Sequence, residues 1–509
     1  MSAVVDFSDV QGLVRFGFGK MTEVRYLLLR VRDPHPARAW LAQAPFTTAI
    51  ELSPPPTTAM QVALTRQGLE ALRLPGHVIE GFSLEFLEGM AGEQNRSRRL
   101  GDTGANAPEN WEWGGDTKVP HLVLMLFAEP GKLQAWEQSV KGESWSAAFE
   151  ELHRLDTSNL GDREPFGFID GISQPALDWA QARKPSANAD QLAYGNVICL
   201  GEFLLGYLNE YGRYTDRPLL DAAENPGADL PEAEDHPGKK DFGKNGTYLV
   251  IRQLEQDVRG FWQYISQAAN ASNMTEYQLA EAIVGRRLSD GASLAAPSSV
   301  PIPGVGDMGS NAQRKRDLEL NQFTYSSDPE GMHCPIGAHV RRGNPRTPDL
   351  PGNPQGLASH ALHLLGFGNA DVREDLVASV RFHRLLRRGR EYGSALSPEE
   401  AVQPAPADDP KRGIHFIAIN ANIERQFEFV QNAWMMKTKF DGLTEESDPL
   451  IGNREPVKGC LFTDAFTVPR KEQIRNRAVG LPRFVTVRGG AYFFLPGIRA
   501  LKFLSCLGG

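Results

Sequence analysis

Residues 414–422 read IHFIAINAN, and 423–435 continue as IERQFEFVQNAWM. The first run is nearly all apolar, which predicts a strand buried on both faces and covered by helices. In the second run Ile423, Phe427, Val430 and Trp434 recur at helical spacing, so an amphipathic helix is expected to follow the strand. Asn422 stands where an N-cap belongs. Three further runs have the same character: RYLLLRV (25–31), HLVLMLFA (121–128) and TYLVIRQL (247–254). The first and last of these also lead into helical patterns, PARAWLAQA (36–44) and EQDVRGFWQYISQAA (255–269).

Two strands in each half predict two α+β units of similar make. The polar stretch 215–246, rich in proline, glycine and charge, is the expected connection. We place the units at 1–230 and 231–509; one mixed sheet with long insertions is the competing reading. Segments 93–118, 295–331 and 394–412 read as long loops, which in compact proteins tend to be functional or disordered.

With 509 residues, 41% of them hydrophobic, the chain can bury a large core. A net charge of −9 argues against nucleic acid as a partner, because phosphate binding needs a clustered basic surface. Cys199, Cys334, Cys460 and Cys506 form no CxxC pair, so neither a structural zinc site nor a disulfide framework is indicated. The amino-terminal residues lack a basic-then-apolar leader, and no run approaches the length of a membrane span. Cytoplasmic location and no membrane partner are the expectations.

Chemistry is concentrated in three stretches. GFIDGISQP (167–175) sets Asp170 between Gly167 and Gly171, suggesting a carboxylate presented to something bulky and flat. HCPIGAHVRRGNPR (333–346) offers His339 as a metal ligand and Arg341, Arg342 and Arg346 as clamps for carboxylates or phosphates. A solvated basic loop with a structural histidine is the plainer explanation, and spacing alone does not displace it. The run RFHRLLRRGREYG (381–393) likewise reads first as a solvated basic face. An inward guanidinium there needs a buried polar or anionic partner.

Other chemistries find little support. His360 and His363 lie three apart, but no HExxH completes a zinc site. GVGDMG (304–309) and GFGNADVRED (366–375) lack nucleotide-loop spacing, and no GxSxG elbow is present.

GFIDG with its QP, CPIGAHVRRGNPR, LLRRGREYG, GIHFIAINANIERQFEFVQNAW (413–434) and LPRFVTVRGGAYFFLPG (481–497) follow one another in the order found in dye-decolorizing peroxidases. From DVQGLVR (9–15) to the end, the chain resembles that family, especially its longer bacterial members. The resemblance implies an α+β fold of two ferredoxin-like domains with antiparallel sheets flanked by helices, and heme b (iron protoporphyrin IX) in the C-terminal half. It implies His339 as the proximal iron ligand, Asp170 as the distal acid and base, and Arg387 as the distal charge that assists O–O cleavage. Arg346 would pair with a haem propionate, while Ile169, Gly171 and Phe416 would contact the cofactor. Ile414 and Phe416, two apart on one strand, share a face and would narrow the distal pocket.

Hydrogen peroxide and a dye, phenol or other aromatic reductant are the implied partners, and a homo-oligomer is compatible. Bulky reductants would donate electrons at the surface, with Tyr392 and Trp434 as candidate relays. A low aspartate pKa predicts an acidic optimum for dye oxidation. The acid orienting His339 is left open among Glu424, Glu428 and Asp448. Segment 347–376, an insertion relative to compact members, could reshape the haem entrance. Two rival readings are a haem carrier or sensor without turnover, and a deferrochelatase-like enzyme that strips iron from haem.

Overall fold

The structure is a computed structural model, and it describes residues 4–115, 118–183, 195–224, 229–295, 320–321, 323–325, 327–346, 379–456, 462–471 and 475–507. The stretches GVGDMG and GFGNADVRED, His360, His363, Cys460 and the insertion 347–376 lie outside the described residues.

Nine strands form one antiparallel sheet. They are β1 (Glu23–Val31), β2 (Thr58–Leu64), β3 (Leu122–Ala128), β4 (Phe149–Asp156), β5 (Thr247–Gln256), β6 (Leu386–Arg387), β7 (Arg390–Tyr392), β8 (Gly413–Asn420) and β9 (Val485–Leu495). Their order is β6-β8-β5-β9-β2-β3-β1-β4, with β7 also pairing with β8. The four strands expected from sequence become β1, β3, β5 and β8, and each half's pair lies side by side, with Leu27 opposite Leu124 and Ile417 opposite Ile251.

Each half repeats one topology. In the first, β1 and β3 are central, flanked by β4 and β2; in the second, β5 and β8 are central, flanked by β9 and the β6/β7 pair. Both are ferredoxin-like, and they meet where β9 pairs with β2 at Phe494 and Leu64. Two units and one sheet are therefore compatible descriptions.

Alternation along these strands explains the continuous apolar runs. Leu27 and Leu29 enter one core cluster while Tyr26 and Leu28 enter the other, so both faces exclude water. Helices α1 (Pro34–Gln43), α2 (Leu133–Lys141), α3 (Val258–Ser272), α4 (Glu276–Val284) and α7 (Ile498–Cys506) follow the apolar patterns, α1 capped by Asp33 and α3 by Asp257. Between α4 and α7 come α5 (His339–Gly343) and α6, which spans Glu424–Glu428 and Val430–Met436.

The helix expected after Asn422 is present but wide. The Glu428 N–H donates to the Ile423 carbonyl, five residues back, at 2.9 Å, and the Lys437 N–H reaches Asn432 at 3.2 Å. Such wide turns often accompany functional sites. Asn422 caps it as expected, accepting from the Arg425 N–H at 2.8 Å, and Ile423, Phe427, Val430 and Trp434 are all buried.

Two expectations change. Segment 93–118 is not wholly loop: Gln94–Leu100 is helical, its buried Arg96 paired with Glu428 at 2.8 Å. The basic runs are not solvated faces either. Arg341, Arg342, Arg346, Arg381 and Arg384 are all buried. Backbone carbonyls supply much of the compensation: Arg341 donates to Cys334 at 2.8 Å and Arg342 to Trp434 at 2.7 Å. Arg388 donates to the carbonyls of Leu13 and Val14.

Candidate active site

A cavity of about 290 Å³ opens against the sheet of the C-terminal half. Its sheet wall is built from Leu254, Ile414, Phe416, Arg387 and Val487; α6 contributes Phe427, Val430 and Trp434, and α5 contributes His339. The GFIDG loop closes another side with Phe168, Ile169, Asp170 and Ser173. Of the residues singled out from sequence, Asp170, Arg387, His339, Ile169, Ile414 and Phe416 thus share one mostly apolar pocket, although they span some 250 positions of chain. An apolar concavity with few polar groups has the usual form of a ligand site.

Within it, the Arg387 Nη1 donates to Asp170 Oδ1 at 2.8 Å. Burial pushes the Asp170 carboxyl up, but the Arg387 guanidinium, the Gly171 N–H and the His339 imidazole outweigh it, leaving the group below its ordinary value. Asp170 is consequently ionised at neutral pH. Gly167 has φ +103° and Gly171 φ +82°, a region where L side chains are strained, so the turn that presents Asp170 requires glycine at both positions. Gly171 itself turns out to sit outside the cavity lining and acts through its backbone.

His339 begins α5, and its Nδ1 lies 3.0 and 3.1 Å from the two oxygens of Asp448. The acid left open by the sequence is therefore Asp448. Glu428 instead meets Arg96 and the Tyr492 hydroxyl, and Glu424 is exposed. Asp448 is fully buried; burial raises its pKa, yet His339 and the Ile451 N–H bring it below the ordinary carboxylate value. The carboxylate accepts a hydrogen bond from the Nδ1–H, which leaves Nε2 as the nitrogen available to the cavity.

Arg346 is placed differently from its neighbours in the motif. Its guanidinium donates to the carbonyls of Asn321 at 2.5 Å and Phe323 at 3.0 Å and to Ser173 Oγ at 2.8 Å, beside the cavity wall rather than in it. The sequence reading missed Arg286, which does line the cavity. It donates to the Gly291 carbonyl at 2.6 Å and to Ser173 Oγ at 3.3 Å, and no carboxylate lies within ion-pair distance of it among the described residues. Glu164 was also missed. It accepts from the N–H groups of Phe166 and Phe168 and from Gln256, and burial pushes its carboxyl up to about 7. No short motif flagged either residue; the nearest signal was Glu164 lying six positions before Asp170.

Trp434 lines the cavity and is buried, whereas Tyr392 stands outside it, stacked on His415 with ring centroids 4.6 Å apart.

No family model matches the chain. The multifunctional dye peroxidase of Amycolatopsis is 31% identical over 467 residues, covering 88% of this chain and 82% of that protein. The chain belongs to the dye-decolorizing peroxidase family. A dye-decolorizing peroxidase of Exidia glandulosa is 25% identical over 97% of this chain and 86% of its own length. Among solved structures, a dye-decolorizing peroxidase with an engineered heme pocket superimposes with a TM-score of 0.71 at 23% identity, covering 99% of this chain and all of the other. A DyP-type peroxidase of Anabaena gives 0.67 over 98% of this chain and 94% of its own. These matches carry the fold, and the Amycolatopsis relative carries the family. As a dye-decolorizing peroxidase family member, this chain is a peroxidase. No helix among the described residues is long and apolar enough to cross a membrane.

Proposed function

We propose that this peroxidase holds heme b in the cavity, reduces hydrogen peroxide, and oxidises dyes, phenols or other aromatic reductants. One observation carries the reading: a carboxylate-locked imidazole and an arginine-paired aspartate, supplied by separate elements, open into the same apolar pocket. The residues present fit the cofactor. His339 Nε2 would ligate the iron, apolar Ile169, Phe416 and Val430 would meet the ring, and Arg286, without a carboxylate partner among the described residues and backed by Arg346, would favour the propionates.

The bound group supplies a ferric iron at which peroxide is cleaved. Asp170, ionised, would take a proton from one peroxide oxygen and return it to the other, which leaves as water. Arg387 would place fixed positive charge beside the breaking bond. Phe416, Ile414 and Ile169 keep the space small, which favours peroxide over a dye. The proposed division into 1–230 and 231–509 puts the acid on one unit and the imidazole on the other, and the repeated topology supports it. Cytoplasmic residence belongs to the same proposal; Cys199 and Cys334 are buried free thiols.

Electrons from bulky donors would travel through aromatic rings. Trp434 contacts His383 edge-on at 5.3 Å, His383 adjoins Phe382 at 6.4 Å, and Phe382 stacks on the partly exposed Tyr211 at 3.9 Å. A Tyr211→Phe variant keeps the stack and loses the oxidisable phenol. Its steady-state rate should fall more with a bulky dye than with a small phenol; equal effects on both donors would remove this route.

The proposal is tested by the absorption spectrum of the purified protein before and after one equivalent of peroxide. A Soret band that changes rapidly supports a peroxidase of this design. An unchanging Soret band indicates a haem carrier, and release of free protoporphyrin indicates iron removal. Asp448→Asn should weaken haem retention about 10- to 100-fold, the usual consequence of losing a ligand's outer hydrogen-bond partner. Haem titration of the variant measures it.

A further inference from the structure

Arg387 ends β6, a strand of two residues at the edge of the sheet. So short a strand does not by itself hold a long side chain on target. Its register places Arg387 opposite Ala418, while the N–H and carbonyl of Arg387 point away from the sheet. An edge strand ordinarily leaves such groups to water. Here one side chain reaches both: Gln174 Oε1 accepts from the Arg387 N–H at 3.0 Å, and Gln174 Nε2 donates at 3.2 Å to the Arg387 carbonyl, which also accepts from Arg388 Nη1 at 3.1 Å. The carboxamide pairs with the arginine as a neighbouring strand residue would.

Gln174 is itself anchored. Its carbonyl accepts from Asn321 Nδ2 at 3.2 Å, and Ser173 Oγ donates to Asn321 Oδ1 at 2.9 Å. Gln174 also follows Asp170 by four residues within GFIDGISQP. The loop that carries the acid thus grips the backbone of the residue that carries the cation.

We infer that Gln174 is a positioning residue for the peroxide reaction, locking the Arg387 backbone so that its guanidinium stays on Asp170. This rests on the reading of Asp170 and Arg387 as the reacting pair. Asp170 is faced by Arg387 and Glu391 from the edge strands, by His339 from α5, by Glu164 from its own loop and by Arg286 from the turn after α4. Arg387 is the largest of the influences that hold it ionised against burial. Letting the guanidinium drift therefore moves the Asp170 titration upward, and with it the acid limb of the peroxide reaction.

Two variants separate this role from simple packing. Gln174→Met preserves length and abolishes both hydrogen bonds; Gln174→Glu keeps the acceptor and loses the donor. The peroxide rate at its optimum should fall about 10- to 100-fold in Gln174→Met, as expected for a displaced reacting group, and less in Gln174→Glu. The acid limb should move to higher pH in the same order. Infrared titration of the carboxyl stretch in the full-length protein, assigned with Asp170→Asn, reads the same shift without turnover. A Gln174→Met protein with wild-type Asp170 titration and wild-type acid limb overturns the inference; if that variant does not fold, the same result in Gln174→Glu overturns it. Should the infrared titration shift while Arg387→Leu leaves the peroxide rate untouched, the clamp stands and the role given to the pair fails.

Discussion

A His339→Ala variant is expected to purify nearly colourless and to lose peroxidase activity. His339 brings to the cavity an imidazole whose Nδ1 is already committed to Asp448, so Nε2 faces the pocket with its lone pair oriented and its basicity raised by a buried carboxylate. Removing the ring takes away the proposed iron ligand and leaves Asp448, with no described ion-pair partner but His339, buried without its cation. Haem retention should fall by more than the 10- to 100-fold expected for Asp448→Asn. The ratio of Soret to protein absorbance after reconstitution with excess haem is the measurement. A variant with a full, wild-type Soret band would remove His339 from the ligand role.

Replacing Arg387 by leucine should slow the reaction with peroxide about 100- to 1,000-fold, the range seen when one preorganised donor to a developing charge is deleted. A second consequence separates this from loss of folding. In the wild type burial raises the Asp170 pKa, but Arg387, with help from the Gly171 N–H and His339, brings it below its ordinary value. A group depressed in this way stays ionised down to its folded pKa, so the peroxide step should hold its rate from neutral pH into the acid range and fall only below the ordinary carboxylate value. This allows dye oxidation an acidic optimum. Without the guanidinium, burial is opposed only by the Gly171 N–H and His339 and the Asp170 pKa rises, so the acid limb of Arg387→Leu should move to higher pH. Stopped-flow rates against pH for both proteins decide it; a variant with an unshifted limb would show that Arg387 does not control Asp170.

How much was legible in the residues follows from the range of the forces involved. Strands β1, β3, β5 and β8 could be read directly because each is buried on both faces and therefore written as an unbroken apolar run. Strand β2, TAMQVAL, has the same burial but carries Gln61, whose amide serves Leu13 and Thr47. That polar residue hides it from a hydrophobicity pattern. The arginines of 341–346 and 381–390 looked solvated because a guanidinium is costly to bury; their acceptors are carbonyls from segments the local pattern does not connect, such as Leu13 and Val14 for Arg388.

By itself, then, the sequence determined the elements, whose signals are periodicities over a few residues, and the motif residues Asp170, His339 and Arg387 that mark the family. Tertiary structure alone decided the partners. Asp448 reaches His339 across 109 positions, Arg286 comes to the cavity from the turn after α4, and Gln174 closes on Arg387 across 213. A hydrogen bond depends on a few tenths of an ångström between atoms brought together by the whole fold, and no pattern within one element carries that distance.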